Sequence, residues 1–255
     1  MGIKGDGQKP SRFMPAVVQG NTMKKITSWQ YDEFKQVGVD YENQEEVEAY
    51  DSRHAQFRDV DAECSGILDA LAVTPQSVVI EIGTGTGAFA IHAAQRCASV
   101  YAVDVSVPML EFAQRRADKA GLENITFRNA GFLTYEHSGT LADALVTSMA
   151  FHHLPDFWKG VALGRMNGML RPGGLLYIHD VIFVQADAEA NISRWLDQLE
   201  EMGGTQLSDE VATHVREEFS TFDWIMDGLL KRTGFRILSK EMMEGVIGTY
   251  LCKKE

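Results

Sequence analysis

"VVIEIGTGTGAFA", residues 78–90, opens with a β-branched run, ends that run near an acid, and follows with glycines at 83, 85 and 87. The spacing predicts a strand over 77–82 and a helix from about Gly87. A strand that ends in a glycine turn and feeds directly into a helix brings backbone N–H groups and the positive end of the helix dipole to one point. Something anionic or polar should sit there. Gly83, Gly85 and Ala88 also satisfy G-x-G-x-x-A, and Asp104 stands about 20 residues downstream, where a dinucleotide fold keeps its ribose-binding acid. Glu81 argues the other way. It lies near the strand's end, where a dinucleotide fold wants an apolar residue, and a carboxylate there suits a ligand that carries an ammonium group.

Outward from this stretch, strand-like and helical patterns alternate. A strand is expected over 99–103, then a helix opened by Ser106 with Pro108 in its first turn and closed by Gly121, then a strand over 125–128. Further strands are expected over 143–149 and 174–180, with a helix between them that "RPGG" stops. Such alternation demands a parallel sheet with helices on both faces, an α/β fold. Residues 187–219 break the rhythm with two amphipathic helical segments separated by Gly203 and Gly204, and a helix over about 221–232 follows with no strand between. The chain closes on "FRILSKEMMEGVIGTYLCKK", two strand-like runs around Glu244 and Gly245, hence an antiparallel hairpin. At the other end, residues 1–28 read as a poorly ordered tail and 29–73 as a helical preface in which Asn43 caps a helix.

Bulk properties narrow the partners. The 255 residues are 45% apolar and carry a formal charge of -12, which repels nucleic acid, and no basic block reverses that locally. No apolar run approaches the ~18 residues of a membrane span, and the chain reads as cytoplasmic, with no membrane partner. Cys64, Cys97 and Cys252 are odd in number and in no metal-binding spacing, so they read as reduced, buried thiols, and no metal is expected. Oligomeric state is not legible.

Five ordered segments, "VIEIGTGTG", "VYAVDVSVPML", "ITFRNAGFLTY", "ADALVTSMAFHHLPD" and "LRPGGLLYIHD", resemble the motifs of class I S-adenosylmethionine-dependent methyltransferases, in particular the small-molecule branch of ubiquinone and menaquinone biosynthesis type. The resemblance spans residues 77–255 and implies a Rossmann-like seven-stranded, mostly parallel sheet whose last strand is antiparallel. It also implies S-adenosyl-L-methionine as the cofactor and methyl transfer to a small-molecule acceptor. By position, Glu81, Gly83, Thr84, Gly85 and Gly87 would line the amino-acid end of the cofactor, Asp104 would accept both ribose hydroxyls, and Val105 and Met109 would pack on the adenine. The third motif departs from the family, with Gly131 and Phe132 where an Asp often precedes a small residue, so the adenine would meet a backbone N–H and ring packing. Tyr31 and Tyr41 would close over the cofactor or serve as ordinary packing, with Arg53 meeting a carboxylate. The divisions implied are a single domain over 29–255, with a cofactor-binding core over 74–184, a helical lid over 185–220 and a closing helix and hairpin over 221–255.

Methyl transfer from a sulfonium is an in-line displacement that needs alignment and, where the acceptor carries a proton, its removal. Ser148, Met149, His152 and His153 leave a strand at its carboxyl end, near the expected sulfonium, and either histidine is a candidate base or a brace for the loop. His179 and Asp180 end the next strand and would orient an acceptor or pair with each other. Trp195, Phe222 and Trp224 are candidates for an acceptor pocket or for ordinary burial, and the acids in "REEF", residues 216–219, read as a solvated face. Two other functions fit the same residues: a nicotinamide-dependent oxidoreductase, and a cofactor-binding protein without transferase activity.

Overall fold

Strand β1 (Val78–Ile82) runs through the middle of the molecule because its alternate side chains are claimed by both faces of a sheet. Ile80 and Ile82 point into one apolar cluster and Val79 into the other, the period-2 pattern of a strand covered on both sides. The computed structural model describes residues 28–35 and 59–255. The expected tail up to residue 27, the Asn43 cap, Tyr41 and Arg53 lie outside the described residues.

After helix α1 (Val60–Ala70), β1 is followed by α2 (Ala88–Ala94), β2 (Ser99–Asp104), α3 (Val107–Lys119), β3 (Ile125–Asn129) and β4 (Ala142–Ser148). Then come a single 3-10 turn (Phe151–His153), α4 (Asp156–Met169), β5 (Leu170–Phe183), α5 (Ala188–Glu217), β6 (Thr221–Phe222), α6 (Asp223–Arg232), β7 (Phe235–Met243) and β8 (Ile247–Lys254). The main sheet has the order β3-β2-β1-β4-β5-β8-β7. Strands β1 to β5 pair in parallel, and β8 is antiparallel to both its neighbours, so the last strand alone reverses direction. The seven-stranded Rossmann-like arrangement implied by the motifs is the one observed.

Helices α1, α2 and α3 cover one face through Leu68, Phe89, Leu110 and Ala117, and α4 and α6 cover the other through Leu163, Met166, Met226 and Leu230. The start of α3 follows its sequence: the Ser106 hydroxyl accepts the Met109 N–H at 3.3 Å, and Pro108 sits where no intrahelical donor is needed. The three cysteines are buried.

Two boundaries differ from expectation. The "RPGG" segment does not precede β5 but bulges out of it, since Ala142 pairs with Leu170 and Ala144 with Leu175. The two helical segments expected on either side of Gly203 and Gly204 are both present within α5, which is broken at Gly204 with φ 78° and ψ 175°. A short strand, β6, does separate α5 from α6, because Thr221 and Phe222 pair with Ile182 and Phe183 at the far end of β5. That pairing returns the inserted helix to the sheet at its carboxyl edge.

Candidate functional site

Parallel register brings the ends of three strands to one edge: Ile82 lies beside Val103, and Glu81 beside Val146. A cavity of about 420 Å³ opens there, lined by Glu81, Asp104 and Ser148 from the strand ends and by residues 83–86 of the glycine loop. The floor and far side come from Val105, Met109, Gly131 and Phe132, and the remaining wall from Tyr31, Met149, His153, Glu218 and Phe219. Gly87 is not among the lining residues and instead opens α2, packed on Ala113. Tyr31 hangs its hydroxyl on the His153 carbonyl at 3.1 Å, with its ring edge-on to Phe219.

The polar groups of the loop are divided unequally between protein and cavity. The N–H groups of Gly83 and Thr84 both reach the Val103 carbonyl, at 2.8 and 3.0 Å, and that of Gly87 reaches the Thr84 carbonyl at 2.9 Å. Gly85 gives its N–H to Asp104 Oδ2 and Ser106 gives its own to Asp104 Oδ1, each at 2.8 Å. A carboxylate offers about four lone-pair sites, so accepting capacity remains beyond these bonds. Glu81 accepts the Thr84 hydroxyl at 2.5 Å. Burial, opposed by that bond and reinforced by Asp104 nearby, pushes Glu81 up to about 8, and burial raises Asp104 as well. What faces the cavity is therefore two carboxylates, and most of the donors that a pyrophosphate would need are engaged elsewhere.

Glu33, which the sequence reading did not single out, joins them from the amino-terminal segment. Its carboxylate accepts the Leu133 N–H at 2.9 Å and the Thr134 hydroxyl at 2.7 Å, and it lies over Gly131, where a Cβ would come within 2.4 Å of the carboxyl carbon. Residue 131 can have no side chain while that carboxylate is there.

The four candidate catalytic residues separate. His153 lines the cavity with 34% of its side chain exposed. His152 and Asp180 are buried behind the wall, each 2% exposed at the side chain, and their ring Nδ1 and Oδ1 make a very short contact. Asp180 also accepts the backbone N–H groups of Phe151, His152 and Val181. His179 does not pair with Asp180; its Nδ1 meets the Thr249 hydroxyl at 2.8 Å. Burial opposes a charge on His152, but Asp180 and Glu218 outweigh it and raise the ring to about 9, while the histidine contacts hold Glu218 down at about 2.

The "REEF" expectation needs correction. Glu218 is 8% exposed and enters the histidine cluster, and Phe219 reaches the cavity, because the end of α5 is pulled in by the Phe219 N–H on the His152 carbonyl at 2.9 Å. Buried Lys159 grips the Phe219 carbonyl from below and holds Asp156 at 3.1 Å. Trp195, on α5, and Phe222 pack with Val181 and Phe183, outside the cavity lining, and Trp224 is 56% exposed.

A methyltransferase-domain family model matches residues 79–174. An uncharacterized methyltransferase of Geobacillus sp. (strain WCH70) is 30% identical over 191 residues, covering 75% of this chain and 83% of the relative. The chain belongs to the class I S-adenosylmethionine-dependent methyltransferases. A Geobacillus thermodenitrificans methyltransferase is also 30% identical, over 81% of this chain and 88% of its own. In fold, the methyltransferase is similar to a SAM-dependent methyltransferase from Aquifex aeolicus, with a TM-score of 0.59 at 17% identity, over 84% of this chain and 99% of that one. It transfers a methyl group from S-adenosylmethionine, its cosubstrate.

Proposed function

We propose that the cavity at the ends of β1, β2 and β4 holds S-adenosylmethionine with its ammonium group toward Glu81 and its ribose diol on Asp104, and that the acceptor is a small molecule. One observation carries this reading: the cavity presents buried carboxylates while the glycine-loop N–H groups are spent on Val103, Thr84 and Asp104. A ligand with an ammonium and a sulfonium suits such a wall. The pyrophosphate of a nicotinamide dinucleotide would meet Asp104 with few donors to offset the repulsion. The adenine would pack against Val105, Met109 and Phe132, with its amino group toward the Glu33 carboxylate, which stands where residue 131 has no side chain.

The acceptor would enter between Tyr31, Met149, His153 and Phe219, opposite the glycine loop. The net charge of -12 disfavours a nucleic acid there, and no described helix is long and apolar enough to cross a membrane, which supports a dissolved acceptor in the cytoplasm. Residues 28–35 together with 185–220 form a candidate cap over the acceptor, as the cavity contacts of Tyr31, Glu33, Glu218 and Phe219 support.

The test is transfer of a labelled methyl group to pools of small acceptors; binding of cofactor with no transfer to any pool would leave a cofactor-binding protein without this activity. His153→Ala is expected to leave affinity for S-adenosylhomocysteine within about twofold, since the ring lines the acceptor side, and to lower turnover. Wild-type turnover in that variant would return His153 to a structural role.

Glu81 adds a pH signature. A carboxyl raised from 4.5 to about 8 in the fold keeps its proton more tightly than in the unfolded chain. The ligand-free protein therefore loses stability as pH rises from about 4.5 to about 8. A bound ammonium group pairs with the ionised form and offsets that loss. The increase in melting temperature given by S-adenosylhomocysteine should accordingly grow between pH 6 and 8, and the growth should vanish in Glu81→Gln. A ligand-induced increase independent of pH in the wild type would disprove the pairing.

A further inference from the structure

His152 meets His214 and Glu218 from a distant part of the chain, and their ring nitrogens and carboxylate oxygen lie within 4.8 Å of one another. His214 and Glu218 are four residues apart at the end of α5, which puts both on one face of the last turn. The His152 side comes from the turn after β4. Glu218 Oε2 stands 3.2 Å from His152 Nε2 and 2.6 Å from His214 Nδ1, with His153 Nδ1 at 3.7 Å. These are ion-pair contacts, in which one buried carboxylate oxygen is shared among the rings around it. Among the described residues, neither Glu218 oxygen nor His214 Nε2 has a hydrogen-bond partner, although all are buried. A buried polar atom left without a hydrogen bond is costly unless something else satisfies it.

The outer contacts suit a cation. His152 is fixed by Asp180, which itself accepts three backbone N–H groups, so the ring's Nδ1 is committed to a carboxylate and Nε2 points at Glu218. A histidine whose distal nitrogen is bound to an anchored carboxylate is the usual support of a metal-ligating imidazole. A doubly protonated His152 lying between Asp180 and Glu218 would account for that ring and for Glu218 Oε2, but it leaves His214 Nε2 and Glu218 Oε1 as they are.

We propose that His152, His214 and Glu218 form a binding site for a divalent first-row transition metal, zinc-like in its preference for two imidazoles and one carboxylate, with its open position toward the acceptor side of the cavity. Tetrahedral ligands about 2.0–2.1 Å from such an ion are roughly 3.3 Å from one another. The 3.2 Å contact already matches, and the 2.6 Å contact would have to open to that separation as the ion enters. Two imidazoles disfavour magnesium or calcium. Three protein ligands leave one position unfilled, as in catalytic rather than structural zinc sites. Glu218 and His153 line the cavity, so that position would take an oxygen or nitrogen of the acceptor; this role, unlike the binding itself, rests on the methyl-transfer reading. Bound metal would also staple the end of α5 to the turn after β4.

The test uses the full chain, stripped with a chelator and titrated with Co2+ and, separately, Zn2+, with Mg2+ as control. One Co2+ per chain with visible d–d absorption is expected, and Zn2+ but not Mg2+ should raise the melting temperature. His214→Ala and Glu218→Gln should each weaken Zn2+ binding about tenfold or more, and S-adenosylhomocysteine binding is followed in the same samples. Absent cobalt bands, or bands unchanged in both variants, overturn the site. Metal binding without S-adenosylhomocysteine binding would sustain the site and remove the assigned role, whereas S-adenosylhomocysteine binding without metal would overturn the site and leave the cofactor reading intact.

Discussion

Asp104→Ala should weaken binding of S-adenosylhomocysteine by roughly a hundredfold. Two ribose hydroxyls on one carboxylate are two charge-assisted hydrogen bonds, each about 1.5–3 kcal/mol, and a loss of about 3 kcal/mol is more than a hundredfold in affinity. The substitution also strips partners from the Gly85 and Ser106 N–H groups, so a lower melting temperature accompanies it. Asp104→Asn separates the two effects. It keeps one acceptor oxygen and much of the loop's bonding but removes the charge, and its affinity should fall between wild type and Asp104→Ala. Calorimetric titration of the three proteins measures this. Equal affinities would take the ribose away from Asp104.

Gly83→Ala should be the most damaging single methyl group at the site. Gly83 has φ +82°, and its added Cβ would lie 2.4 Å from the Ala150 Cβ in the loop after β4. A side chain in left-handed backbone costs about 1–2 kcal/mol, and forcing a methyl into a filled space adds about 1–3 kcal/mol. The loop that yields carries Met149 and His153, so cofactor affinity should drop along with stability. Gly85 is the control. Its φ is +51° and nothing lies within 4 Å of its Cβ position, so Gly85→Ala should show the backbone cost of about 1–2 kcal/mol without the collision. Denaturant unfolding of both variants compares them; equal destabilisation would mean that the Ala150 contact yields freely.

What could be read in the sequence was what local chemistry decides. The glycine loop, the Ser106 cap with Pro108, and the hairpin around Glu244 and Gly245 each depend on residues a few positions apart, and each forms as its spacing predicts. Strand alternation placed Glu81, Asp104 and Ser148 at one sheet edge for the same reason, because parallel strands joined by helices must all end on the same side. The misses are tertiary. Glu33 meets Leu133 and Thr134 across about a hundred residues, and nothing in its own neighbourhood marks a buried acid. Glu218 sits in a run of charge that reads as solvated, and only the pull of His152 and Lys159 on Phe219 draws the end of α5 inward. One signal was present and unused: His214 and Glu218 at helical i, i+4 spacing. The pairing of Asp180 with His152 rather than His179 follows from strand geometry, since neighbours on β5 face opposite ways.

The most direct test of the carboxylate-lined cofactor site is a crystal structure of the protein with S-adenosylhomocysteine. The account predicts the ribose diol on the Asp104 carboxylate, the amino group within reach of Glu81, and the adenine against Val105, Met109 and Phe132 with its amino group at Glu33. A ligand whose ribose avoids Asp104, or whose amino-acid end lies away from Glu81, would contradict it.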